Sequence, residues 1–116
     1  MLKENASCRA EYREGKQEAI IEGEIDHHSA ATIREKIDTL MFRHHPKKLV
    51  LNLEKVSFMD SSGLGLILGR ASLGQEIGTT VHLIKASDRI RKILSLAGVC
   101  RIENLIIETN SKEKQK

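Results

Sequence analysis

The run Phe58-Met59-Asp60-Ser61-Ser62-Gly63-Leu64-Gly65 offers the most chemistry in this chain. Small and hydroxylic residues stand there between an apolar stretch and a segment of helical spacing. Ser61 and Ser62 are thereby set at a helix N-terminus, where unpaired N–H groups and the positive end of the dipole favour an added anion. A phosphate on serine would bring about −1.5 to −2 charges to that position without disrupting the helix. Asp60 or a serine equally suits the plainer role of helix cap, and capping and phosphorylation do not exclude one another. The local pattern does not choose between Ser61 and Ser62.

Two enzymatic readings of the serines fail. A nucleophile elbow needs G-x-S-x-G, and Asp60 occupies the position two before Ser62. A P-loop needs G-x-x-x-x-G-K-[ST], and Gly65 is followed by Leu66-Ile67. Gly63 and Gly65 read instead as close backbone packing where loop meets helix. A rim of Asp26 and Asp60 with serine donors could also hold a nucleotide or another small ligand.

Asp26-His27-His28-Ser29 is a second constellation, and His44-His45 a third. Adjacent histidines on a helix point in different directions, and the two pairs bracket one helix about 25 Å long at 1.5 Å rise per residue. A metal shared between them is excluded. Asp26 is either a plain acid at a helix N-terminus or a neighbour of the Asp60 loop, since both follow strands and lead into helices.

These residues need elements to position them. Residues 18–25 carry β-branched residues at their centre and read as a strand, with a shorter strand over 8–12 and a turn at 13–16. Ile33, Ile37, Leu40 and Met41 share one helical face, with Ser29 as N-cap and Pro46 as the stop. Leu49 to Leu53 form an apolar run suited to a strand buried on both faces, and residues 56–63 read as a punctuated stretch. Leu64, Ile67, Leu68 and Ala71 mark a second helix, broken at Gly78-Thr79. A strand at 81–84 follows, then a helix capped by Ser87 with Ile90, Ile93, Leu94 and Ala97 on one face and Gly98 as its stop. Residues 105–107 make a last strand. Strands alternating with helices of this length predict one α/β domain with a mostly parallel sheet.

Composition narrows the function. At 116 residues the chain holds one domain, expected over 1–109, with a polar tail over 110–116. Net charge is +3, but the basic residues are scattered and Tyr12, Phe42 and Phe58 are too few for base stacking, so nucleic-acid binding is not expected. Lys85, Arg89, Arg91 and Lys92 read as a solvated helix face. No apolar run could span a bilayer, and residues 1–16 have no apolar signal core, so a cytoplasmic protein with reduced Cys8 and Cys100 is expected. Cys100 reads as a buried small apolar residue.

Taken together, Gly23-Glu24-Ile25-Asp26-His27-His28 and Phe58-Met59-Asp60-Ser61-Ser62-Gly63-Leu64-Gly65 resemble the bacterial anti-sigma factor antagonists, which are single STAS domains, and the sporulation type most of all. The similarity runs over residues 18–98 and includes Leu68-Gly69-Arg70. It implies a four- to five-stranded mixed sheet with helices mainly on one face. It also implies partner switching by a protein that is not an enzyme and needs no cofactor or metal. In that family the unphosphorylated antagonist binds an anti-sigma factor, itself a serine kinase, and frees a sigma factor. The kinase then phosphorylates a serine of this loop, and a serine phosphatase resets it. The family's phosphoacceptor matches Ser62. Asp60 and Ser61 match its neighbours and Asp26 a flanking acid, with Gly63 and Leu64 completing the expected partner-binding surface. The free protein is expected to be monomeric. A STAS module of another signalling or transport-associated assembly is the alternative that the same resemblance allows. Family members usually close with a further amphipathic helix, for which residues 110–116 are too polar and too few, and the N-terminal segment makes a poor apolar strand.

Overall fold

A computed structural model describes residues 5–108. In chain order the elements are β1 (Ala6–Arg13), β2 (Lys16–Ile25), α1 (His27–His44), β3 (Lys48–Met59), α2 (Ser61–Ile77), β4 (Thr80–Ile84), α3 (Asp88–Leu96), a 3-10 turn (Val99–Arg101) and β5 (Leu105–Ile107). The expected tail over 110–116 lies outside the described residues.

The five strands lie in the order β1-β2-β3-β4-β5. β1 runs antiparallel to β2, and every other pairing is parallel, so the sheet is mixed. Register separates its faces. Gln17, Leu49, Val81 and Leu105 stand in one row and Ala19, Leu51 and Leu83 in the next. All of these are buried, and all but the polar Gln17 meet Ile33, Ile37 and Met41 of α1, Ile67 and Ala71 of α2, and Ile90 and Leu94 of α3 in one core. The opposite rows, Glu18-Val50-His82-Ile106 and Ile20-Asn52-Ile84, face away from that core. The mixed sheet with helices on one face is therefore as the resemblance implies.

Several local expectations are corrected. The first two strands are longer than expected, and their turn tightens to Glu14-Gly15, both at positive φ, the two-residue hairpin geometry. β1 is poor in apolar residues because it is an edge strand with only Ala6 and Cys8 buried. The Leu49–Leu53 run is buried on both faces as far as Val50, which is buried on the open side, while Asn52 on that side is only half-buried. β3 continues to Met59, through residues expected to be irregular, because β2 keeps pairing beside it through two register shifts. α1 begins at His27 rather than after Ser29, for reasons given below. α2 buries Gly63, Leu66, Ile67, Arg70, Ala71 and Gly74, while Leu64 and Leu68 are only half-buried, because this helix packs against α1 as well as the sheet. In α3, Ala97 is exposed as the C-cap. Cys100 is exposed too, and its neighbour Val99 fills the core position instead. Lys85, Arg89 and Lys92 are exposed as expected, and Arg91 is half-buried beside Asp88.

Candidate functional site

Two carboxylates mark one end of the sheet. β2 and β3 are adjacent and parallel, and Ile25 pairs with Met59 at their C-terminal ends. The next residues, Asp26 and Asp60, each cap the helix that follows. The backbone N–H of Asp60 donates to the carbonyl of Ile25 at 3.2 Å, which joins the two strand-to-helix corners. Of the two readings open for Asp26, this geometry satisfies both: it is a helix acid and it neighbours the Asp60 loop.

The two caps differ in strength. Asp26 Oδ1 accepts from the N–H groups of His28 at 3.0 Å and Ser29 at 2.9 Å, while Asn5 Nδ2 donates to its Oδ2 at 2.7 Å. Ser29 is the third helical residue, and its Oγ accepts from the Asp26 N–H at 3.0 Å, closing a capping box. An acid placed where β2 ends captures the helix start three residues earlier than Ser29 would. The N–H of Ser29 above all, and then the Asn5 amide, hold the Asp26 carboxyl down at about 2. A carboxylate pKa lowered from 3.8 stabilises the fold fully above that value and ceases to do so as pH falls through about 2. The stability difference between the natural chain and Asp26→Asn should accordingly be constant at neutral pH. It should close between about pH 4 and pH 2, as read from denaturant midpoints across that range.

Asp60 makes the shorter cap. Its Oδ1 accepts from the Ser62 N–H at 2.7 Å, and its carbonyl accepts from Gly63 at 3.0 Å. Ser61, the first helical residue, is exposed, and Ser62 is half-buried. Gly63 is buried because a Cβ there would stand 2.7 Å from the Cβ of Met59, so the corner can pack only around glycine. The expectation of close packing holds for Gly63 and fails for Gly65, where a Cβ would meet nothing within 4 Å. The half-buried Leu64 packs at the margin of the core. The corner thus presents two hydroxyls in the first turn of a long helix, beside two carboxylates. An added anion on either serine would meet the helix's positive end and, at the same time, Asp60.

Sequence reading missed a groove beside this corner. α1 and α2 both rise from the same end of the sheet, and residues 27, 30, 31 and 34 of α1 line a cleft of about 420 Å³ with 62, 65, 66, 69 and 70 of α2. Its lining includes Arg70, which is held in an ion pair. Arg70, only 7% exposed, points Nε at Asp38 Oδ1 of α1 at 2.9 Å. Burial raises the Asp38 carboxyl and lowers the Arg70 guanidinium even though each opposes the effect on the other. The available sequence signal was Arg70 itself, a charge inside an otherwise apolar helical stripe, together with Gly65 and Gly69 one turn apart.

The histidines stand as the spacing required. His27 and His28 open α1, while His44 closes it, stacked on Tyr12 at a ring-centroid distance of 3.9 Å, and His45 is the C-cap just before Pro46. Among the described residues no three His, Cys, Asp or Glu side chains gather as metal ligands. Nor is any described helix long and apolar enough to cross a membrane.

Comparison with known proteins places this geometry in context. The model of the STAS domain family matches residues 18–113. The anti-sigma F factor antagonist of Paenibacillus polymyxa is 32% identical over 98 residues, 84% of each chain. The anti-sigma factor antagonist SpoIIAA in its unphosphorylated form has the same fold, with a TM-score of 0.75 at 30% identity over 92% of each chain. The Bacillus cell fate determinant SpoIIAA in its phosphorylated form gives 0.70 at 29% identity, over 94% of this chain and 97% of the other.

Proposed function

This chain belongs to the STAS domain family, and we propose that it is an anti-sigma factor antagonist whose partner is a serine kinase and whose switch is phosphorylation of Ser62. The observation that carries this reading is the corner where Ser62 sits in the first turn of α2, its N–H held by Asp60, with Asp26 joined to the same corner through Ile25. Asp26, Asp60, Ser61, Ser62, Gly63 and Leu64 form the surface that the anti-sigma factor contacts. Binding there occupies the anti-sigma factor and frees its sigma factor, and the exchange takes place in the cytoplasm.

The switch is electrostatic. The kinase moves the γ-phosphoryl group of its ATP onto Ser62 Oγ; ADP departs with the electrons of the broken P–O bond, and the hydroxyl proton passes to a base of the kinase. A phosphoserine near two carboxylates must then be desolvated against the partner, where like-charge juxtaposition costs several kcal/mol. The fold tolerates the same phosphate because a helix N-terminus favours anions. A serine phosphatase removes the group and restores the docking surface. Nothing in this cycle asks the chain itself for catalysis.

Intact-mass spectrometry after incubation with the cognate anti-sigma factor, ATP and Mg²⁺ tests the reading. One phosphoryl group should add to the natural chain and none to Ser62→Ala. No addition to either, with the kinase active on another substrate, would leave a STAS domain with a different partner.

A further inference from the structure

We propose that a phosphate on Ser62 is received across the α1–α2 groove by Arg34, which makes Arg34 the positioning residue of the phosphorylated state. This rests on the reading of Ser62 as the phosphoacceptor and adds the group that holds the modification. Ser62 and Arg34 line the same groove. Arg34 lies seven residues beyond His27, about 10 Å along the α1 axis. Long helical side chains lean back toward the helix N-terminus, which for α1 is the end where Ser62 stands.

The charge of the groove is unbalanced. Arg34 and Arg70 line it, and Asp38 is the carboxylate on which both act. Arg70 takes Asp38 at 2.9 Å, and its own Nη1 is buried with no partner. Arg34 forms no ion pair with a described carboxylate, although it lies near enough to act on both Asp38 and Arg70. One positive charge is therefore left over in the groove that Ser62, a hydroxyl that can become a dianion, also lines. Room exists as well: Gly65 and Gly69 line the same groove, and a Cβ at either would meet nothing within 4 Å. Glycine weakens a helix interior, and no packing contact requires it at these two positions. Arg34 and His27 favour the dianion, and Asp60 and Asp26 at the corner oppose it. Arg34, which lines the groove with Ser62 and has no described carboxylate partner, is the residue to vary.

The test installs phosphoserine at position 62 by genetic-code expansion, with no kinase involved, and follows its titration by ³¹P NMR. A serine phosphate ordinarily loses its second proton near about pH 6. The natural chain should titrate about 0.5–1 pH unit below R34Q, and R34K should recover part of the difference. Lys92→Gln, which removes the same charge from α3, should leave the midpoint in place. Arg34 is exposed, so R34Q keeps the fold. Coincident titration of R34Q and the natural chain, or an equal displacement by Lys92→Gln, overturns the proposal. Failure of the kinase to modify Ser62 is a separate result: it would count against the phosphoacceptor reading and leave the titration unchanged.

Discussion

Ser62→Asp should bind the cognate anti-sigma factor at least ten times more weakly than Ser62→Ala, and the phosphorylated chain about 100 times more weakly, measured by calorimetric titration. The expectation follows from where Ser62 lies. Its amide already donates to Asp60 at 2.7 Å, and Asp26 is tied to the same corner, so each new negative charge joins two existing ones. Stripping water from three clustered anions against a partner costs far more than stripping it from two and a hydroxyl. Roughly 3 kcal/mol of such penalty is already about 100-fold in affinity. Aspartate carries one charge where phosphate carries nearly two, and its effect should be correspondingly smaller. The fold should not share the loss, because an acid in the first helical turn contributes about 0.3–1 kcal/mol of stability. Unchanged melting with weakened binding is the expected pair of results. Equal affinities for the two variants would sink the electrostatic switch.

Gly23→Ala should be the most damaging small substitution near the site, costing about 2–4 kcal/mol in denaturant titrations. Gly23 has φ +102 near the C-terminal end of β2, where the register between β2 and β3 shifts. A Cβ there would run into the carbonyl oxygen of Asn5 and stand 3.0 Å from the Cα of Ala6. That carbonyl accepts from the Glu24 N–H at 3.0 Å, and the Asn5 side chain donates to Asp26 at 2.7 Å. Displacing Asn5 therefore strains the backbone and loosens the Asp26 cap together. The Asp26 carboxyl should rise from about 2 toward the ordinary 3.8, a change that carboxyl ¹³C titration would report. Gly69→Ala gives the contrast. Its Cβ would meet nothing within 4 Å, so the substitution should gain about 0.5–1 kcal/mol of helix stability. If Gly23→Ala proves as benign as Gly69→Ala, the close approach of Asn5 does not govern that end of the sheet.

The order of elements was legible because the forces that write it are local. The three helices start at polar cap residues and stop at His45, Gly78 and Ala97-Gly98, as cap chemistry and proline placement dictate. The stripes Ile33-Ile37-Met41 and Ile90-Leu94 lie in the core, where their periodicity put them. The position of Ser61 and Ser62 in the first turn of α2 was likewise set by neighbours in the chain. Errors arose where a distant partner overrode the local signal. β3 runs on to Met59 because β2 pairs beside it, and α2 turns a different stripe inward because α1 covers its flank.

The sequence alone therefore determined a single alternating α/β chain with a hydroxyl pair at a helix start and an acid before each of its first two helices. Caps, periodicity and turn chemistry act over a few residues and can be read from them. Only the tertiary structure decided that Asp26 and Asp60 share one corner, since that depends on β2 and β3 lying parallel with Ile25 opposite Met59. It alone also decided that Arg34, Arg70 and Ser62 line one groove, because their spacing along the chain says nothing of how α1 lies against α2. Register and helix packing are settled by burial between residues far apart in sequence, and no local pattern contains that information.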